Sequence, residues 1–133
     1  MTPRITLLFV SLHVLLYLAL SFRVIARRKA SKVGIGTGGD EVLARAVRVH
    51  ANFSEYVPVA LLLLALLELS GIHAGLLWIY GGLLFVARVL HAIGLGASAG
   101  VSFGRFTGAV LTFIVLLAMA ITGIWRFLAP LML

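Results

Sequence analysis

The chain has 133 residues, 62% of them hydrophobic, with a mean hydropathy of +1.17, which excludes a soluble domain, where about half the residues are apolar, and implies a single membrane domain over residues 1–133. The formal charge of +7 comes from 11 Lys and Arg against 4 Asp and Glu. These charges flank apolar segments, so they indicate membrane orientation and not nucleic-acid binding, while the lack of cysteine excludes a disulfide framework and a cysteine nucleophile.

The first predicted span covers residues 5–22. It follows Arg4 as a secretory leader would, but it is longer than a usual signal core and runs into Arg23 with no small-residue cleavage site, so we read it as retained. The connection that follows holds Arg23, Arg27, Arg28, Lys29 and Lys32. Its stretch from Gly34 to Gly39 matches GxGxxG, the dinucleotide fingerprint. That motif needs a preceding strand, and here a basic juxtamembrane segment precedes it, so a flexible loop is expected, with Asp40 as N-cap of the next helix.

The second span contains the apolar residues 56–67, which cover only ~18 Å at ~1.5 Å per residue against a bilayer core of ~30 Å. Its polar N-terminal part must therefore share the membrane depth. At ~100° per residue, Arg45, Arg48, Asn52 and Glu55 project at about 0°, 300°, 340° and 280°, forming one stripe about 80° wide. His50 and Glu68 project near ~140°, away from it. A charged group at mid-bilayer costs about 2.5–3.5 kcal/mol, so the stripe should face protein, water or a ligand. Pro58 has no amide hydrogen for the carbonyl of Ser54, and it predicts either a loosened turn where a cavity opens or a packing kink.

The third span covers residues 72–87, with its helix continuing through Arg88 and His91 toward Gly94; the fourth covers residues 106–125, with Arg105 at its start. Arg88 is expected to pair with Glu55 as a structural ion pair between helices. His91 suits an interhelical hydrogen bond or a ligand contact, and His13, isolated in the first span, an interhelical bond. Gly96, Gly100, Gly104 and Gly108 recur every four residues and suggest a close-packing face, although the run crosses a loop. The four histidines have no metal-ligand spacing, so no metal site is expected. By the positive-inside rule the first connection is cytoplasmic, both termini are periplasmic, and the arginine-rich site faces the cytoplasm.

Arg45, Arg48, Asn52, Arg105 and His91 together suit a small ligand with more than one carboxylate, while the bilayer delivers an apolar second substrate. If the anionic ligand carries a thiol, an arginine in a low-dielectric site favours its thiolate, the reactive form, and Arg105 is the candidate for that catalytic role.

The run Arg45-Ala-Val-Arg48-Val-His50-Ala-Asn52-Phe-Ser-Glu55-Tyr-Val-Pro58, followed by Arg88-Val-Leu-His91 and by Arg105, resembles the MAPEG family, the membrane-associated proteins in eicosanoid and glutathione metabolism, in its short bacterial form. The resemblance extends over nearly the whole chain. It implies an all-α four-helix transmembrane bundle in the bacterial inner membrane, assembled as a homotrimer, with glutathione bound between neighbouring subunits. It further implies that Arg48, Asn52 and Glu55 line the glutathione site, that His91 lies near it, and that Arg105 stabilises the thiolate. Eukaryotic prostaglandin and leukotriene synthases of the family place hydroxyl side chains near the fourth-helix arginine, and a tyrosine can occur one turn past the histidine. This chain has Phe106, Ala109 and Leu95 there, so eicosanoid synthesis is not implied.

The resulting expectation is a glutathione-dependent transferase or peroxidase-like enzyme acting on hydrophobic electrophiles or lipid hydroperoxides. The alternative is a non-catalytic binder of glutathione, another anionic metabolite or a lipid headgroup. A small multidrug transporter also has four spans in a short chain, but such transporters rely on an acidic residue in the first span, and none is present here.

Overall fold

The computed structural model describes residues 2–97 and 102–129. Its four helices are α1 (Arg4–Ser31), α2 (Glu41–Leu69), α3 (Ala74–Ala97) and α4 (Phe103–Leu128), each long and apolar enough to cross a bilayer. At ~1.5 Å per residue even the shortest, of 24 residues, exceeds the hydrocarbon core. The chain is an all-α integral membrane protein.

The first helix is longer than the sequence suggested. It absorbs Arg23, Arg27, Arg28 and Lys29, which the reading above placed in the connection. Arginine and lysine are good helix formers, and Arg28 and Lys29 in the last turn complement the negative end of the helix dipole. Lys32 then turns into the left-handed region at φ 53°, and its amide returns to the carbonyls of Arg28 and Lys29. The glycine-rich loop follows a helix, which removes the dinucleotide reading. Its carbonyls are gathered by Arg28, whose Nη1 donates to Gly36 O at 3.0 Å and Gly34 O at 3.2 Å. Asp40 caps α2 as expected, accepting from the amides of Val42 and Leu43.

Opposite this end, the turn between α2 and α3 brings Glu68 back to the start of α1. Its two carboxylate oxygens accept from the amides of Ile5 at 2.9 Å and Thr6 at 2.7 Å. A carboxylate belonging to one helix thereby caps another and ties α1 to α2.

The core has two parts. Phe9, Leu64, Leu77, Leu84, Val115 and Met119 fill the half near Glu68, while Leu20, Val49, Phe53, Val57, Ala92 and Leu95 fill the half toward the glycine-rich loop. Helices α3 and α4 cross with backbones almost touching. A Cβ at Gly94 would lie 2.2 Å from the amide nitrogen of Arg105, and one at Gly108 would lie 2.6 Å from Ala87 O. Bilayer helices associate through such small-residue contacts because lipid already satisfies apolar side chains. The face is therefore built by Gly94, Gly104 and Gly108, and not by the run expected from Gly96. Gly96 instead leaves room for Arg23, which donates to its carbonyl at 3.2 Å, and Gly100 lies outside the described residues.

His13 also departs from expectation. Its Nδ1 donates to Phe9 O at 2.6 Å within its own helix, and among the described residues its Nε2 has no hydrogen-bond partner. A histidine on a helix lies one turn above a carbonyl that its ring can reach directly, so the local partner competes with a distant one.

A cationic cleft between the second, third and fourth helices

The polar stripe of α2 forms as its periodicity requires, but its internal pairing differs from the sequence reading. Arg48 and Glu55, two turns apart, join through an Nη1–Oε1 contact of 3.0 Å. The anticipated Glu55–Arg88 pair does not form. Both partners of the observed pair are half exposed, at 58% and 46%, so each holds its charge in a wetter setting than Arg88 offers. Pairing with Arg88 would have required Glu55 to be dehydrated.

Arg88 is 1% exposed and turns instead to Asn52, donating from Nη2 to Oδ1 at 2.7 Å. Its guanidinium carbon stands 5.7 Å from the centroid of the Phe53 ring, and its Nε has no hydrogen-bond partner. The cation is thus held by one amide oxygen and one aromatic face. The consequence for Asn52 is geometric: with its oxygen fixed on Arg88, its amide nitrogen is left to donate elsewhere.

His91 lies one turn beyond Arg88 on α3, 4% exposed, with Nδ1 unpartnered. Arg105 lies in the first turn of α4. Its position is set from the backbone upward, because Ser102 caps α4 by accepting from the Arg105 amide at 3.3 Å while donating its own hydroxyl hydrogen to Gly94 O at 3.0 Å. One serine therefore fixes the start of α4 against the end of α3. Sequence reasoning passed over Ser102; the signal was a capping-type residue three positions before Arg105.

The result is a cleft of about 340 Å³ lined by Asn52, His91, Arg105, Phe106 and Ala109. Three of the predicted site residues, from three different helices, meet in it. Arg48 and Glu55 flank Asn52 on the exposed stripe, about one turn to either side, and Arg45 lies farther along, 3.9 Å from Glu41. His50 and Glu68 fall outside, as their helical angles require. His50 meets Ser21 at 3.0 Å and packs at a tilt against Tyr17, with ring centroids 4.8 Å apart. The wall beside Arg105 is formed by Phe106 and Ala109 and carries no hydroxyl.

Asp40, just outside the spans, is held below the usual carboxylate range first by the Ser31 hydroxyl, then by the amides capping α2 and by Arg27 at 3.6 Å. The basic end of α1 is thereby fastened to the start of the helix that carries the stripe.

Four membrane-spanning helices with a cationic, amide-bearing cleft among the last three, beside an apolar wall, define a small helical-bundle membrane protein. The MAPEG family model matches residues 6–125, and the chain belongs to that family. It is similar to Inner membrane protein YecN from Escherichia coli K12, 31% identical over 121 residues that cover 91% of each chain. The YecN protein of Escherichia coli O6:H1 matches to the same extent.

Proposed function

We propose that the chain is a membrane-embedded glutathione-dependent transferase or peroxidase-like enzyme acting on hydrophobic electrophiles or lipid hydroperoxides. The observation that carries this reading is the convergence of Asn52, His91 and Arg105 on one cleft with Arg48 beside it. Glutathione brings two carboxylates, an ammonium and a thiol. Arg48 suits a carboxylate, Glu55 the ammonium, the Asn52 amide a peptide carbonyl, and Arg105 the thiolate. In conjugation the thiol proton leaves to solvent, the sulfur forms a bond to the electrophilic carbon, and the leaving group departs with its electron pair. With a hydroperoxide, two glutathione molecules give the disulfide while the peroxide becomes an alcohol and water.

Arg48 and Glu55 are exposed in a single chain, which supports a homotrimer in which a neighbouring subunit closes the site. Membership of the family and the similarity to the inner membrane protein YecN support the bacterial inner membrane, and the charge of the first connection supports a site facing the cytoplasm with both termini periplasmic.

Phe106 and Ala109 favour a second reading. With Phe106 and Ala109 lining the cleft beside Arg105, the same cleft would hold glutathione or another anionic metabolite without turnover. Titration calorimetry with glutathione, together with turnover of chlorodinitrobenzene and of a lipid hydroperoxide, separates the readings. The enzyme reading requires binding and turnover, both lost in Arg48→Ala. Binding without turnover selects the second reading, and no binding refutes both.

A further inference from the structure

The ion pair that spans the α2 stripe occupies the very charges a ligand would need. Arg48 and Glu55 meet through parallel contacts, Nη1–Oε1 at 3.0 Å and Nη2–Oε2 at 3.5 Å. They stand seven residues apart, about 10.5 Å of helix at ~1.5 Å per residue, whereas the usual pairs on a helix are three or four residues apart. Each side chain must therefore lie stretched along the helix to reach the other. Their shared direction, near ~290° around α2, falls between Ala51 at ~240° and Asn52 at ~340°. The pair thus runs alongside Asn52, at the rim of the cationic cleft that Asn52 lines.

While the pair holds, neither charge is open to a ligand. A molecule that brings only a carboxylate takes Arg48 and strands Glu55 beside the incoming negative charge. The nearby arginines of α2 and α3 do not replace Arg48, since Arg88 is turned to Asn52 and Arg45 sits 3.9 Å from Glu41. A molecule with a carboxylate and an ammonium on one carbon avoids that cost. Its carboxylate takes Arg48, its ammonium takes Glu55, and one ion pair is exchanged for two with no charge left over. The two side chains are 58% and 46% exposed in a single chain, and a neighbouring subunit closing over them would dry both and make a stranded charge still more costly.

We propose that the Arg48–Glu55 pair is a resting latch, exchanged on binding for the zwitterionic end of an α-amino acid, so that the site accepts an α-amino-acid terminus and rejects a bare dicarboxylate. This rests on the glutathione reading above, whose γ-glutamyl end is such a terminus, and adds to it the latch and the selectivity that the latch imposes.

The test compares glutathione with glutaryl-cysteinylglycine, which lacks only the ammonium, by titration calorimetry on the full chain in lipid nanodiscs. The unaltered chain is expected to hold glutathione about tenfold more tightly, the worth of a charged hydrogen bond. Glu55→Gln should abolish that preference. It should also bind glutaryl-cysteinylglycine about threefold more tightly than the unaltered chain does, because Arg48 is released from a half-exposed pair. Glu55→Asp keeps the charge but falls a methylene short of a pair that already stretches both side chains. It should give a similar gain, which the mere loss of a repelling charge would not, and it carries the test should Glu55→Gln not fold. The latch is overturned, with the glutathione reading intact, if glutathione binds but the analogue binds equally well to the unaltered chain, if neither variant gains affinity for the analogue, or if only Glu55→Gln does. If neither ligand binds the unaltered chain, the glutathione reading and the latch fall together.

Discussion

Removing the carboxylate of Glu68 tests how α1 is held to the bundle. The first turn of α1 has four amides with no partner inside the helix, and all four are satisfied: Arg4 N by Thr2 O, Leu7 N by Pro3 O, and Ile5 N and Thr6 N by the two oxygens of Glu68. Glu68→Ala orphans the last two together. A hydrogen bond to a charged group is worth about 1.5–3 kcal/mol net, and water reaching this helix end recovers part of the loss, so a destabilisation of about 2–3 kcal/mol is expected. Glu68→Gln keeps one carbonyl acceptor and loses the charge, and should fall between, near 1 kcal/mol. Reversible unfolding in mixed micelles, followed by circular dichroism, measures both. If Glu68→Ala costs under about 0.5 kcal/mol, or Glu68→Gln costs as much as alanine, the carboxylate is not the cap that holds α1.

Three other outcomes follow from the same contacts. Gly94→Ala drives a methyl to 2.2 Å from the Arg105 amide and should cost about 3 kcal/mol or unseat α4, whereas Gly82→Ala, with nothing within 4 Å, should be neutral or stabilising by about 0.5–1 kcal/mol in the same unfolding assay. Arg88→Met removes the anchor on Asn52 while keeping the packing, so stability should change little while any glutathione affinity measured by calorimetry falls about tenfold; unchanged affinity would free Asn52 from the site. Because the folded-state carboxyl of Asp40 is held below its ordinary range, its contribution is present above the unfolded pKa of about 4 and disappears as the pH falls through the lower folded value. Asp40→Asn should therefore flatten the loss of melting temperature between about pH 5 and pH 3, and an unchanged acid-side slope would contradict the assignment.

Which parts were legible beforehand follows from the range of the forces involved. The four spans came from hydropathy, the α2 stripe from a period of 3.6 residues, the Asp40 cap from its position before that stripe, and the extension of α3 through His91 from the shortness of its apolar run. Each of these depends on residues close together in the chain and on the thickness of the bilayer. The separation of His50 and Glu68 from the stripe was readable for the same reason, since angle around a helix is a local property.

The pairings were not local, and there the sequence alone was insufficient. It supplied an acid and a base in Glu55 and Arg88, but whether they met depended on the depth at which α3 lies against α2, which gave Arg88 to Asn52 and Glu55 to Arg48. It supplied glycines every four residues, but only the crossing of α3 and α4 decided that Gly94, and not Gly96, meets the opposing backbone. Nothing near Glu68 in the chain announces that it caps a helix more than 60 residues away. The sequence by itself determined the membrane fold and the chemical character of the cleft, because both follow from burial and helical period. Only the tertiary structure decided which polar groups satisfy one another, because in a low-dielectric bundle each takes the donor or acceptor that packing brings within 3 Å, whatever their distance along the chain.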